Sequence, residues 1–279
     1  MSHPMELPGV IGNRRNKGES VLRHGTNPEL GKMEEVPGLQ AFSVKSRYKT
    51  PDAQSGPVAR MWSTPIDLYC ERVTPSFWAE PLNALSNIAF LVAAYAAYNL
   101  WRRDGKGDPA ILALIVVVVA VGLGSFALHT LATQGTMLLD VTPIGFFIYG
   151  YFLLALRRFL LLSWPFALTL LGGFIAVSLA LASYVPRDIL NGSSGYLPAL
   201  AVLIVFGWLL RGHRAGSAML VAAGLFVVSL IFRIMDLDVC ARFPIGTHFL
   251  WHVLNAAVLY MVLRGAIAER QHPLSQERK

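Results

Sequence analysis

His248 and His252 are four residues apart, and so are Ser125 and His129. On a helix that spacing puts both side chains of a pair on one face, one turn apart. Two imidazole nitrogens then converge on one point. His129 supplies a third imidazole with the Ser125 hydroxyl one turn below it, and Asp140 follows eleven residues after His129. Three neutral imidazoles leave one tetrahedral position open, the pattern of a catalytic zinc site, whereas structural sites fill all four. With no cysteine nearby, zinc is favoured over metals that prefer softer ligands. A bis-histidine haem is the rival use, and His252 with His129 suits one. It leaves Ser125, Asp140 and His248 without a role. Each residue alone has a plainer reading: a histidine near a helix end as an interfacial hydrogen-bonding group, Asp140 as a helix N-cap. Their coincidence at one depth is what favours the metal. His3, His24, His213 and His272 fall in tails or turns and read as solvated.

The elements that must position these residues are apolar helices. The 279 residues are 54% hydrophobic and 15% charged, against about 25% charged in an ordinary soluble domain. Seven apolar runs, at about 81–101, 109–130, 137–156, 159–183, 195–210, 216–235 and 246–264, each approach the roughly 20 residues that cross about 30 Å of hydrocarbon. The expected fold is therefore all-α, a polytopic seven-transmembrane-helix bundle over residues 67–266. A polar, largely disordered N-terminal tail (1–66) precedes it and a C-terminal tail (267–279) follows. Met33 and Met61 offer alternative starts. Pro143, Pro165 and Pro198 lie inside or at the edges of runs, which membrane helices tolerate.

The turns after the first, third and fifth runs, with the C-terminal tail, carry eleven basic residues: Arg102, Arg103, Lys106, Arg157, Arg158, Arg211, Arg214, Arg264, Arg270, Arg278 and Lys279. The other turns carry only Arg187 and Arg242. The positive-inside rule then puts the first set and the C-terminus in the cytoplasm and the N-terminus outside, against ten Lys and Arg in the N-terminal segment. His129, Asp140, His248 and His252 all fall at the outer ends. The net charge of +7 belongs to tails and turns, with no stacking platform for bases, so nucleic acid is not the expected partner.

Asp67, Glu71 and Glu80 precede the first run, and Asn83 and Asn87 open it. An all-oxygen set suits a hard cation such as calcium; solvated acids at a polar helix start are the plainer reading. Asp236 and Asp238 close the sixth run as interfacial or supporting groups. Cys70 and Cys240, the two thiols of the chain, both fall on the expected outer face, where a disulfide would tie the pre-helix segment to the turn before the seventh run.

Over about residues 67–264 the chain resembles the alkaline ceramidase family. That family lies within a group of seven-helix membrane hydrolases that also includes adiponectin-type receptors and GPI-remodelling proteins. The resemblance rests on Asp67-Leu-Tyr-Cys70-Glu71, Glu80-Pro-Leu-Asn83 with Ser86-Asn87, Gly124-Ser125 through His129-Thr130, Asp140, and His248-Phe-Leu-Trp251-His252. It implies zinc on His129, His248 and His252, Asp140 contacting the zinc-bound water, Ser125 completing the site, and calcium on Asp67, Glu71 and Glu80. The chain departs from the pattern in an extra residue between Asp67 and Cys70-Glu71, a shorter stretch from Glu71 to Glu80, and Val73 where an Asn ligand is expected. The activity implied is hydrolysis of the amide of ceramide or a related N-acyl membrane lipid; the charge rule puts it at the extracytoplasmic face, and the high Ala, Leu and Arg content suggests a bacterial inner membrane. An adiponectin-receptor-like lipid sensor and a phospholipid acyl-ester hydrolase are the alternatives.

Overall fold

The computed structural model describes residues 56–104, 107–186 and 189–271. Among them the fold is all-helical, with one isolated antiparallel bridge, Pro65 to Thr133. The elements are α1 (Pro57–Ser63), α2 (Pro81–Ser86), α3 (Ile88–Asp104), α4 (Pro109–Leu131), α5 (Gln134–Arg158), α6 (Trp164–Tyr184), α7 (Leu197–Leu209), α8 (Arg214–Val239) and α9 (His248–Gln271). Six helices are long and apolar enough to cross a membrane: Pro81–Asp104 (α2 with α3), α4, α5, α6, α8 and His248–Glu269 of α9. The fifth apolar run forms only the shorter helix Ser194–Leu209. At 1.5 Å per residue it falls short of the hydrocarbon thickness.

Ordered structure starts earlier than the sequence suggests. α1 lies before Asp67, and the Trp62 ring fills the space beside Gly135 of α5. The rest of the 1–66 tail, before residue 56, lies outside the described residues, as do residues 272–279 of the C-terminal tail.

Without a hydrophobic force between helices in lipid, close packing depends on small residues. Ala215, Ala218 and Ala222 of α8 are buried and face α9, where Ala266 is fully enclosed. α9 also packs on α3, α4 lies between α3 and α5, and α2 touches both α4 and α9. Two helix-end devices close the end of the bundle away from the histidines. Asp108 caps α4 by accepting Ile111 N–H at 3.2 Å and pairs with Arg158 at 2.7 Å; Glu269 of α9 accepts the Ala215 N–H of α8 at 3.1 Å.

The first span is stepped rather than straight. The amide of Asn87 donates to the Asn83 carbonyl at 2.8 Å, and the Ser86 hydroxyl donates to the same oxygen at 2.8 Å. The backbone N–H of Asn87 turns instead to Ala84 at 3.3 Å. Side chains that take over a helical carbonyl bend the helix there. The bend separates α2 from α3.

Candidate metal centre

Five helices and one extended segment meet at a single end of the bundle. His129 comes from the last turn of α4, Asp140 from the second turn of α5, and His248 and His252 from the first two turns of α9. A ligand nitrogen from each of the three histidines lies within 4.8 Å of the others, and all three side chains are buried. The helical spacing in α9 produces this directly. α5 starts at Gln134, with Thr133 as its N-cap in a reciprocal capping box with Thr136. Asp140 is therefore inside the helix and is not its cap.

The neighbours of the histidines decide which nitrogen carries the proton. Nδ1 of His129 donates to Oε2 of Glu80 at 2.5 Å, and His129 Nε2 is buried with no hydrogen-bond partner. The Ser86 hydroxyl spends its one proton on the Asn83 carbonyl, so at 2.7 Å from His252 Nδ1 it accepts. His252 Nε2 is thereby left with its lone pair, 3.5 Å from the Ser125 hydroxyl. His248 Nδ1 is likewise buried without a partner. Carboxylate or hydroxyl support on one ring nitrogen, with the other bare and converging, is how metal-binding histidines are held. The residues present fit a divalent metal with nitrogen ligands.

His248 is fixed from outside its ring. Its backbone N–H and that of Thr247 donate to Asp236 Oδ1 at 2.9 and 2.7 Å, and the Cys70 N–H donates to Asp236 Oδ2 at 3.0 Å. One buried carboxylate thus caps α9 and holds the pre-helix segment. Gly246 makes the turn possible: its φ is +63°, and a β-carbon there would overlap the Asp236 carboxylate. The Cys70–Cys240 disulfide fastens the same corner. Tyr69 stacks on the His248 ring with centroids 3.7 Å apart.

Ser125 and Asp140 are brought together by a close approach of α4 and α5. Pro143 cannot donate to the Leu139 carbonyl one turn back. Gly124 packs against that freed oxygen, and a β-carbon at Gly124 would overlap it. The contact places Asp140 beside Ser125, and both line a cavity with His252. Beyond them the cavity is walled by apolar side chains that include Phe147, Phe152, Phe206, Met219 and Trp251.

The expected calcium residues do not gather in this way. Among the described residues the three histidines form a metal-ligand cluster, and Asp67, Glu71 and Glu80 form none. Glu71 caps α2, accepting Leu82 and Asn83 N–H at 2.7 and 2.9 Å. Burial nevertheless pushes its carboxyl above the ordinary range. Glu80 forms an ion pair with Arg72 at 2.5 Å and accepts the His129 Nδ1–H as well. Burial would raise its carboxyl, but His129 and Arg72 outweigh that and hold it below the ordinary range.

Histidine spacing does not point to three further residues. Arg72 and Ser86 act across long sequence separations. Arg233 of α8 sits among Tyr69, Tyr196 and Trp251, its guanidinium carbon 5.9, 5.6 and 5.2 Å from their ring centres. It donates to the Tyr69 hydroxyl at 3.3 Å and acts electrostatically on Asp140. An ionisable group inside an apolar run is a signal that the sequence does carry.

The Ceramidase family model matches residues 63–278. No curated protein matches the chain.

Proposed function

Because the chain belongs to the ceramidase family, we propose that it is an intramembrane zinc-dependent hydrolase cleaving the amide bond of ceramide or a related N-acyl lipid to a fatty acid and a sphingoid-type amine. The observation that carries this reading is the convergence of three buried imidazoles, with bare nitrogens on His129 and His248 and with His252 lining an apolar cavity beside Ser125 and Asp140. His129, His248 and His252 would hold the zinc, which when bound lowers the pKa of a coordinated water toward about 7 and polarises the scissile carbonyl.

The chain's own residues do the rest. Asp140 takes a proton from the attacking water and returns it to the nitrogen that leaves, so the C–N bond breaks as a neutral amine forms. The Ser125 hydroxyl donates to the oxygen on which negative charge develops. The aromatic and aliphatic walls of the cavity take the hydrocarbon chain. In the orientation we favour, Ser194–Leu209 is a seventh crossing, the site and N-terminus lie on the extracytoplasmic side of a bacterial inner membrane, and the C-terminus is cytoplasmic.

The test is elemental mass spectrometry of the detergent-purified protein beside His252→Ala, followed by a turnover panel of N-acyl lipids and phospholipid esters. One zinc per chain, lost in the variant, with amide turnover by the wild type, is the expected result. Ester turnover alone would keep the hydrolase and change its substrate class. Bound zinc without turnover of either class would favour a lipid sensor, and wild type without zinc would overturn the reading.

A further inference from the structure

Of the oxygen-bearing residues before the first span, Glu80 already faces a cation, and that cation is a side chain. Arg72 is 4% exposed. Its Nε donates to Oε1 of Glu80 at 2.5 Å, its Nη2 to the His129 carbonyl at 2.9 Å, and its Nη1 to the carbonyls of Thr74 and Ser76 at 3.3 and 3.4 Å. One carboxylate and three backbone carbonyls are thus turned inward on a planar guanidinium, whose fork of donors matches them.

Calcium does not fit this donor set. It needs six to eight oxygens at about 2.3–2.6 Å, and here both oxygens of Glu80 and both of Glu71 are engaged by N–H groups, which leaves the side-chain oxygens of Asn83 and Asn87 as the buried ones of that set without a hydrogen-bond partner, too few for such a shell. Val73, where the resemblance expects an Asn ligand, has no side-chain oxygen and is 79% exposed. A divalent ion would also have to enter beside a fixed positive charge in a buried, weakly screening setting.

We propose that the Arg72 guanidinium takes the part that the family resemblance gives to calcium. It is the resident cation of the segment between Glu71 and Glu80, and it is a positioning residue that presses Glu80 against Nδ1 of His129. The chain's fold and its histidine site are then independent of calcium. The effect on metal affinity rests on the proposed zinc reading; the calcium independence does not.

The experiment uses the full chain in detergent, passed through calcium-free buffer, with thermal unfolding followed as calcium chloride is added. The expected result is an unchanged midpoint and no calcium by elemental analysis. A saturable upward shift with about one calcium per chain would overturn the proposal, and this arm needs no variant. In the second arm, zinc affinity is compared among wild type, Arg72→Met and Arg72→Lys. Loss of a group that orients a ligating histidine weakens metal binding about 10–100-fold, so Met should fall in that range and Lys, which keeps the charge but not the fork, should lie between. Wild-type zinc affinity in Arg72→Met would overturn the positioning role. A wild type that binds neither zinc nor calcium would sink the zinc reading and leave the calcium independence standing.

Discussion

The two ends of the cavity are built on different principles. At the polar end the groups are tied to partners from other parts of the chain: His129 to Glu80, Glu80 to Arg72, His252 to Ser86, the start of α9 to Asp236. Each tie has a direction, a donor on one side and an acceptor on the other, so the residue types are fixed. At the apolar end, rings meet rings: Phe152 lies 4.4 Å from Phe174 and 5.5 Å from Phe206 between centroids. The Tyr151 hydroxyl donates to the Val262 carbonyl at 3.0 Å, but the ring contacts themselves have no direction, and volume is their main requirement. The polar end should therefore fail on an isosteric change and the apolar end should tolerate one.

Asp140→Asn is the sharpest break. It keeps the size of the side chain but removes the proposed base. Zinc content should be unchanged, and lipid turnover should fall by about 10²–10⁴, the usual contribution of a positioned acid–base group. Turnover near wild type would remove Asp140 from the chemistry and weaken the contrast between the ends.

Glu80→Gln should come next, with zinc affinity lower by about 10–100-fold. Its pH dependence has a definite sign. Because the folded-state carboxyl is held below its ordinary value of 4.5 by His129 and Arg72, its contribution is full above that value and is lost as the pH falls through the lower, folded-state one. The difference in unfolding midpoint between wild type and Glu80→Gln should accordingly shrink on acidification below about pH 4.5. A gap that widened there would contradict the ion-pair arrangement.

Much of the polar end can be read in the sequence because the information is local. Ser125 with His129, and His248 with His252, meet by helical period alone, and the apolar runs expose any ionisable group within them. The partners of those residues are not local. Arg72 reaches the His129 carbonyl across 57 positions and Glu80 reaches the His129 ring across 49, and before folding an arginine and a glutamate in a polar stretch look solvated. The acidic set read as calcium ligands is the instructive case: Glu80 pairs with Arg72, and Glu71 accepts the Leu82 and Asn83 N–H groups, contacts that no local pattern announces. The fifth apolar run shows the opposite difficulty. Its composition resembles that of the others, but at 195–210 it is the shortest of the seven, and it forms the helix Ser194–Leu209, below spanning length.

Gly124→Ala probes how tightly the polar end is set. The added methyl would overlap the Leu139 carbonyl, and such overpacking typically costs about 1–3 kcal/mol. Forced apart, α4 and α5 would separate Ser125 from Asp140, so turnover should drop while the imidazoles on α9 stay in place. Gly173→Ala in α6, where nothing lies within 4 Å of the new atom, is the matched control and should be neutral or slightly stabilising. Equal effects at the two glycines would show that helix propensity, not the α4–α5 contact, is being measured.

The smallest effect belongs to the apolar end. Phe206 lines the cavity and stacks on Phe152, and it is remote in sequence from every group at the polar end. Phe206→Leu keeps the surface apolar and removes part of the wall's bulk. Zinc content should not change, because no tie with a direction is lost. What should change is the fit of the hydrocarbon chain: a pocket distinguishes one methylene by about 1–3 kcal/mol. The optimum acyl length should move up by one or two methylenes, read as kcat/KM across a homologous series, with the maximal rate nearly preserved. If Phe206→Leu instead lowered turnover equally for every chain length, the two ends would be mechanically coupled, and the apolar wall would be setting the position of Asp140 as well as the length of the chain it accepts.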